Sequence, residues 1–363
     1  MKHNMLLVLA GAFTACLLAE VGIRSLDAVR GRGFFSQDRR NIKKAAPVIP
    51  FRMFGFMPYQ ERNGTRYIAS RHGELYPLHK PAGTFRIVCF GGSTTENESS
   101  FKAHGTHYPL VLQSLLRARL HNETIEVINV GNSAYATPQA LIFLELDVLS
   151  WDPEVVILSE NFNDLLAAYW PNFTYDYSHK YAHPFYTNSG AGPQRCLEEV
   201  SDRLFQRSQL YWVAKERLLR VLRRRFPLHR RSYGDIPDPV AAGVFRRNLR
   251  SFVTLARSNG IQVVLGTQPL QPSEESFLRH VEYKPYNDVV VYPLHEEFVK
   301  HHQYYNEVIR QVGAAEGVPV ADSASALGSN PKYFIDFLHY SEEGVEALAR
   351  YYADFLIEQK IVR

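Results

Sequence analysis

The sequence feature that most constrains this chain is a short apolar run that ends at two glycines and a serine. The run extends from Phe85 to Gly92, and Ser93 follows it directly. Its length and its β-branched and aromatic residues are typical of a strand that is covered on both faces of a parallel sheet. Glycines allow backbone angles that a side chain forbids. We therefore predict a buried strand and a tight turn, after which Ser93 begins a helix at the carboxyl edge of the sheet.

The chain after this run alternates between strand-like and helix-like patterns. Further strands are predicted at residues 125–130, 154–159, 261–266 and 318–321. Helical patterns lie between and after them, at residues 108–120, 138–149, 239–258 and from Ser341 onward. Such alternation is typical of an α/β fold whose crossover connections are right-handed. We predict a mainly parallel five-stranded sheet with helices packed against it.

Composition limits the classes of function. The chain has 363 residues, of which 45% are hydrophobic, so it can bury one large core. A formal net charge of +4 is too small to indicate nucleic acid, and we expect no nucleic-acid partner. The three cysteines lie in unrelated segments and predict no disulfide framework.

The amino terminus is apolar from Met5 to Ile23 and is interrupted only by Glu20. This length matches a bilayer, so we predict an uncleaved membrane anchor. Cleavage as a signal peptide and lipidation of Cys16 are the alternatives. Several basic residues follow the apolar stretch, and by the positive-inside rule they would place the body in the cytoplasm. They are Arg24, Arg30, Arg32, Arg39, Arg40, Lys43 and Lys44.

These patterns divide the chain into four predicted parts. Residues 1–23 form the anchor, residues 24–46 a basic linker, and residues 47–84 a small β-ribbon. Residues 85–363 form the main domain, with insertions at about 171–239 and 268–294. A basic helix in the first insertion fits either a solvated surface or contact with anionic headgroups, and the oligomeric state is left open.

The histidines His295, His301 and His302 follow the second insertion on a helical pattern. Without a matching pattern of carboxylates, we interpret them as surface histidines rather than metal ligands. We expect no metal and no organic cofactor.

Polar residues follow several strands of the predicted sheet. In a parallel sheet with right-handed crossovers, the loops after successive strands meet on one edge, so Ser93, Gly131, Asn163, Asp336 and His339 are expected to converge. A serine needs a base to accept its proton, and an aspartate can hold the tautomer of a histidine base. Backbone N–H groups of Ser93 and Gly131 and the Asn163 amide are the predicted oxyanion hole. The predicted catalytic residues are Ser93, Asp336 and His339.

The same residues resemble the four blocks of the SGNH hydrolases, the GDSL-type esterases and lipases. The segment from Lys80 to Glu96 is similar to the entry to the catalytic block of membrane-anchored bacterial members. The resemblance covers residues 80 to 359 apart from the insertions, and it implies a flavodoxin-like three-layer α/β/α sandwich. Two positions depart from the motifs. Gly92 stands where the family has an aspartate, and Asn161 stands where it has a glycine.

The predicted function is that of a serine hydrolase that cleaves a carboxylic ester through an acyl-enzyme on Ser93. The expected partners are an ester or acylated glycan substrate and a membrane. Envelope esters are the usual targets of anchored relatives, so the resemblance implies a single-pass protein with an extracytoplasmic, periplasmic body, against the positive-inside signal. The alternatives are an acyltransferase or deacetylase acting on an envelope polysaccharide, and a binding module on a hydrolase scaffold.

Overall fold

A computed structural model provides the structure of the chain. It describes residues 2–30, 34–35, 49, 51–170, 172–181, 205, 208–225, 231–232, 237–277, 290–291 and 294–363. The chain divides into two compact units. One contains residues 1–47 and 187–230, and the other contains residues 48–186 and 231–363. About half of each predicted insertion, including Cys196 in the first, lies outside the described residues.

The main sheet lies in the second unit and has five parallel strands, as predicted. The described strands of the chain are β1 Tyr59–Arg62, β2 Thr65–Ala69, β3 Leu75–Pro77, β4 Phe85–Gly91, β5 Ile125–Asn129, β6 Val155–Ser159, β7 Arg231–Ser232, β8 Gln262–Gly266, β9 Val290–Val291 and β10 Val320–Ala321. The order across the main sheet is β10-β8-β6-β4-β5. Because β4 pairs with β5 on one side and β6 on the other, the strand order reverses at β4, the place where such sheets bind ligands.

Helices cover both faces of this sheet. The described helices are α1 Lys2–Val29, α2 Ser93–Glu96, α3 Glu98–His104, α4 Tyr108–Leu120, α5 Thr137–Leu146, α6 Phe162–Tyr169, α7 Ser178–Tyr181, α8 Gln209–Arg225, α9 Ala241–Ser258, α10 His295–Glu316, α11 Ser323–Leu327 and α12 Glu342–Glu358. One apolar cluster joins α4 and α12 to the sheet, and a second joins α5, α6, α9 and α10 to the other face. The result is a three-layer α/β/α domain in the strand order of flavodoxin-like folds.

The small ribbon beside the sheet contains β1, β2 and β3, which pair antiparallel. Asn63 and Gly64 turn the chain between β1 and β2 with φ values of 51° and 75°, as an Asn-Gly hairpin requires. A fully buried arginine ties the ribbon to the main sheet. Arg86 in β4 pairs with Glu126 of β5 at 2.8 Å and donates to Pro77 O at 2.8 Å.

The first unit contains α1 and α8. Glu20 of α1 accepts hydrogen bonds from Gln209 N at 2.8 Å and Leu210 N at 2.6 Å, at the start of α8. It also pairs with Arg24 at 2.8 Å. Among the helices described here, none is long and apolar enough to cross a bilayer. Helix α1 covers the predicted stretch from Met5 to Ile23, but the prediction that this stretch is a membrane anchor is not supported.

Candidate active site

A serine, a histidine and an aspartate form a hydrogen-bonded chain at the carboxyl edge of the sheet. His339 Nε2 lies 2.9 Å from Ser93 Oγ. On the other side of the ring, His339 Nδ1 lies 2.8 Å from Asp336 Oδ2. All three side chains are half-buried, so they remain accessible from solvent. The structure thus brings together the three residues that are predicted from the sequence as catalytic.

The loop before α12 fixes the acid and the base relative to each other. Asp336 Oδ1 accepts hydrogen bonds from the backbone N–H groups of Leu338 and His339, both at 2.8 Å. Ser341 caps α12 by accepting from Gly344 N at 3.1 Å. Because both ends of this short loop are hydrogen-bonded, the imidazole has little freedom to leave Asp336.

Two glycines allow the turn that carries Ser93 to lie close to its neighbours. A Cβ on Gly91 would lie 2.8 Å from Ser159 O in β6. A Cβ on Gly92 would lie 2.4 Å from Asn163 Nδ2 and 3.3 Å from Tyr135 O. Gly92 therefore leaves the space that the Asn163 amide occupies, and an aspartate at this position, as in the family motif, would collide with that amide.

Asn163 lies in the first turn of α6 and its amide is next to the serine turn. Asn163 Nδ2 donates to Tyr135 O at 2.7 Å. An amide nitrogen carries two N–H groups, and the second has no partner among the described residues. The position predicted for an oxyanion donor is therefore occupied by an amide with an N–H to spare.

Gly131 is placed differently from the prediction. Its N–H donates to Asn129 Oδ1 at 2.9 Å, so it is already used in the local structure. A Cβ on Gly131 would lie 2.5 Å from Glu96 N and 2.7 Å from Thr95 C. This glycine is needed for close packing against α2, and the prediction that its N–H faces the oxyanion is corrected.

The turn that lies beside Asn163 comes three residues later. Ala134, with φ 66°, precedes Tyr135, whose carbonyl accepts from the Asn163 amide. Ser133 is held to α2, because its N–H and its hydroxyl both donate to Glu96 Oε2, the N–H at 2.6 Å. Sequence reasoning missed this turn because an alanine, rather than a glycine, occupies its left-handed position.

A buried group of charges lies behind Asn163. Glu160, Asp164 and Lys180 are each no more than 1% exposed. Burial raises the pKa of Glu160 well above its usual range, and the neighbouring Asp164 raises it further. Burial also raises the pKa of Asp164 to about 6, although hydrogen bonds from Thr137 and Tyr177 oppose the rise. No sequence pattern indicated this group, because Lys180 comes from the first insertion.

Asn161, the second departure from the family motif, is fully buried. Its amide donates to Asn306 Oδ1 at 2.9 Å and to His302 O at 3.0 Å, both in α10. A glycine could make neither bond. Asn161 therefore fixes the start of α6, and with it the position of Asn163.

The three histidines of α10 do not share one environment. His302 is buried, and burial lowers its pKa to about 3, so the surface location predicted for it is wrong. His301 Nδ1 is 2.8 Å from the Tyr169 hydroxyl. Within the described ranges, no three His, Cys, Asp or Glu side chains are grouped so that they could hold a metal ion.

The chain was compared with known families and proteins. The model of the GDSL-like Lipase/Acylhydrolase family matches residues 89–347. This range begins in β4 and ends in α12, so it contains Ser93, Asn163 and His339. No curated protein matches the sequence.

Solved structures with a similar fold include several esterases. An acetyl xylan esterase shares 15% identity over 75% of this chain and 100% of its own, with a TM-score of 0.43. An acetylxylan esterase from Geobacillus stearothermophilus shares 18% over 77% of this chain and 95% of its own, with a TM-score of 0.44. A lipase/acylhydrolase from Enterococcus faecalis shares 19% over 76% and 97%, with a TM-score of 0.42. Such values are too low to transfer a substrate to this chain.

Proposed function

The chain belongs to the GDSL-like lipase/acylhydrolase family and is an esterase of the SGNH type, and we propose that it cleaves a carboxylic ester through an acyl-enzyme on Ser93. The observation that carries the proposal is the continuous pair of hydrogen bonds from Ser93 Oγ to His339 and from His339 to Asp336, at 2.9 and 2.8 Å. A nucleophile, a base and a residue that orients the base are the parts that acyl transfer by serine requires.

Acylation begins when Ser93 Oγ attacks the carbonyl carbon of the ester. His339 Nε2 accepts the hydroxyl proton as the new C–O bond forms. Asp336 accepts the Nδ1–H of the same ring, which keeps Nε2 in the form that can accept a proton, and it stabilises the imidazolium that results. The tetrahedral intermediate then expels the alcohol, which takes its proton from His339.

The negative oxygen of the intermediate needs hydrogen-bond donors. Ser93 N–H lies at the first position of α2, where a helix has no internal acceptor for it. The second N–H of the Asn163 amide is the other donor that we propose. Gly131, whose N–H is bonded to Asn129, is not part of this site. Each such donor is worth about 10² to 10³ in turnover.

Deacylation repeats the same steps with water. His339 accepts a proton from water, the hydroxide attacks the acyl carbon, and Ser93 leaves with the proton that His339 returns. A glycan hydroxyl in place of water would make the protein an acyltransferase. The location at the cell envelope stays a prediction.

The test uses the purified protein and a panel of aryl esters with acetyl through long acyl chains. Ser93→Ala, His339→Ala and the double variant are expected to fall to the same low activity, because the two residues act as one unit. Ser114→Ala is the matched control, since Ser114 is an exposed serine of α4 that only donates to Leu110 O. It should keep the wild-type rate.

Addition of an acceptor alcohol distinguishes hydrolysis of the acyl-enzyme by water from transfer of its acyl group to the alcohol. If water is the natural acceptor, the free acid remains the main product at millimolar alcohol. A dominant transfer product would indicate an acyltransferase. Wild-type rates in Ser93→Ala on every ester would contradict the proposal.

A further inference from the structure

Lys180 is almost completely buried, which is unusual for a lysine. It lies in α7, in the part of the first insertion that the structure describes, and only 1% of its surface is exposed. Its ammonium group donates a hydrogen bond to Asn163 O at 3.1 Å. Lysine is almost never fully buried unless it is paired, because an unpaired ammonium loses its hydration. The cost of burying this side chain indicates that it has a specific task.

The charge of Lys180 is balanced by the acidic group beside it. Asp164 accepts hydrogen bonds from Thr137 N at 3.1 Å and from the Tyr177 hydroxyl at 2.9 Å. With a pKa of about 6, it is mainly ionised at neutral pH. Burial raises the pKa of Glu160 well above its usual range, and the charge of Lys180 opposes that rise. The ammonium of Lys180 and the carboxylate of Asp164 therefore carry opposite charges, which is the arrangement a buried site tolerates.

This group supports the residue that we propose as an oxyanion donor. The backbone carbonyl of Asn163 is fixed by Lys180, and the side-chain amide is fixed by Tyr135 O at 2.7 Å. Glu160 Oε2 lies 3.5 Å from the position that a Cβ on Gly92 would occupy. Glu160, one member of this group, thus lies next to the turn that carries Ser93.

We propose that Lys180 is a positioning residue for ester cleavage, which holds the backbone of Asn163 so that its amide points at the oxyanion. The inference rests on the proposed function. It gives the first insertion a part in the chemistry, because a residue from that insertion fixes a donor that lies in the main domain. Misplacing a donor by about 1 Å can cost about 10²-fold in rate.

The test is a double-mutant cycle between Lys180 and Asn163. Lys180→Met keeps the length of the side chain and removes its charge and its hydrogen bonds. We expect kcat to fall by about 10- to 10²-fold with little change in KM, because the donor acts mainly on the transition state. In the Asn163→Ala background the same change should leave kcat unaltered, because there is no amide left to position.

Lys102→Met is the matched control, since Lys102 is an exposed lysine that pairs with Glu98. It should leave kcat unchanged. Lys180→Leu, which likewise has neither a donor nor a charge, decides by the same criteria if Lys180→Met does not fold, as judged by circular dichroism.

The outcomes separate the inference from the function on which it rests. An unchanged kcat in a folded Lys180 variant, or an equal loss in the Asn163→Ala background, would overturn the positioning role. In either case, a large loss in Ser93→Ala and Asn163→Ala leaves the proposed function intact. If those two variants keep their activity, the proposed function itself fails.

Discussion

Gly92→Ala tests the closeness of the serine turn to Asn163. The added Cβ would lie 2.4 Å from Asn163 Nδ2. This is about 1 Å closer than an ordinary contact, so one of the two groups has to move. The amide cannot move freely, because it donates to Tyr135 O at 2.7 Å and its backbone carbonyl is bonded to Lys180 at 3.1 Å. The collision therefore displaces an oxyanion donor or the turn that carries Ser93.

The expected loss follows from that displacement. A shift of about 1 Å costs about 10²-fold in kcat, and complete loss of the donor would set a limit near 10³-fold. Overpacking should also lower the free energy of unfolding by about 1–3 kcal/mol. The assay is steady-state hydrolysis of the best aryl ester, with urea unfolding of the same samples. We expect kcat to fall and KM to change little.

Gly243→Ala is the matched control for this prediction. Gly243 lies in α9, and apart from its chain neighbours and the backbone of its own helix, no atom of the described residues lies within 4 Å of a Cβ built on it. Alanine is favoured over glycine inside a helix by about 0.5–1 kcal/mol, so this variant should be slightly more stable and fully active. A wild-type kcat in Gly92→Ala would refute the argument that Asn163 is held beside the serine as a donor.

Three further predictions concern Asp336 of the triad, Glu74 in the ribbon segment, and the ion pair between Arg86 and Glu126. Asp336→Asn should lower kcat about 10⁴-fold, because the orientation and tautomer of His339 are lost. The circular dichroism spectrum should be unchanged, because the fold is kept. A loss of kcat below about 10-fold would contradict the role of Asp336. Burial opposes ionisation of Glu74, but hydrogen bonds from His107 and Ser70 outweigh burial and hold the pKa of Glu74 at about 2. Its contribution to the free energy of unfolding is therefore present above pH 4.5 and is lost as the pH falls toward 2. Urea unfolding should show that Glu74→Gln is less stable than the wild type at pH 6 and that the difference shrinks toward pH 2; a constant difference would contradict this. Arg86→Met should lower the free energy of unfolding by about 3–5 kcal/mol, because it leaves the Glu126 carboxylate without its partner. A loss below about 1 kcal/mol in urea unfolding would contradict the role of this pair.

The sheet could be predicted from the sequence because each strand is a short apolar run bounded by turn residues. β4 ends at Gly91, one residue from the predicted boundary, and helix α4 has the predicted limits of Tyr108 and Leu120. The convergence of Ser93 and His339, which are 246 residues apart in the chain, followed from the parallel topology alone. Local pattern and fold rules agree in this part of the chain.

The remainder of the site depends on contacts that no pattern records. Gly131 follows a strand, and its position predicts an oxyanion donor, but its small size is needed to pack against Thr95. The left-handed position beside Asn163 is Ala134, where no glycine indicates a turn. Lys180 lies 17 residues from Asn163 in a segment with no regular periodicity, so only the folded chain shows their hydrogen bond.

The role of Ser93 as nucleophile is tested most directly by identifying the atom that a fluorophosphonate probe modifies in the purified protein. If Ser93 is the nucleophile, one equivalent of probe reacts per chain, and peptide mass spectrometry finds the adduct on Ser93 alone. Labelling should be absent in Ser93→Ala and much slower in His339→Ala, and Ser114→Ala should be labelled like the wild type. An adduct on another residue, or unchanged labelling of Ser93→Ala, would contradict the claim that Ser93 is the nucleophile.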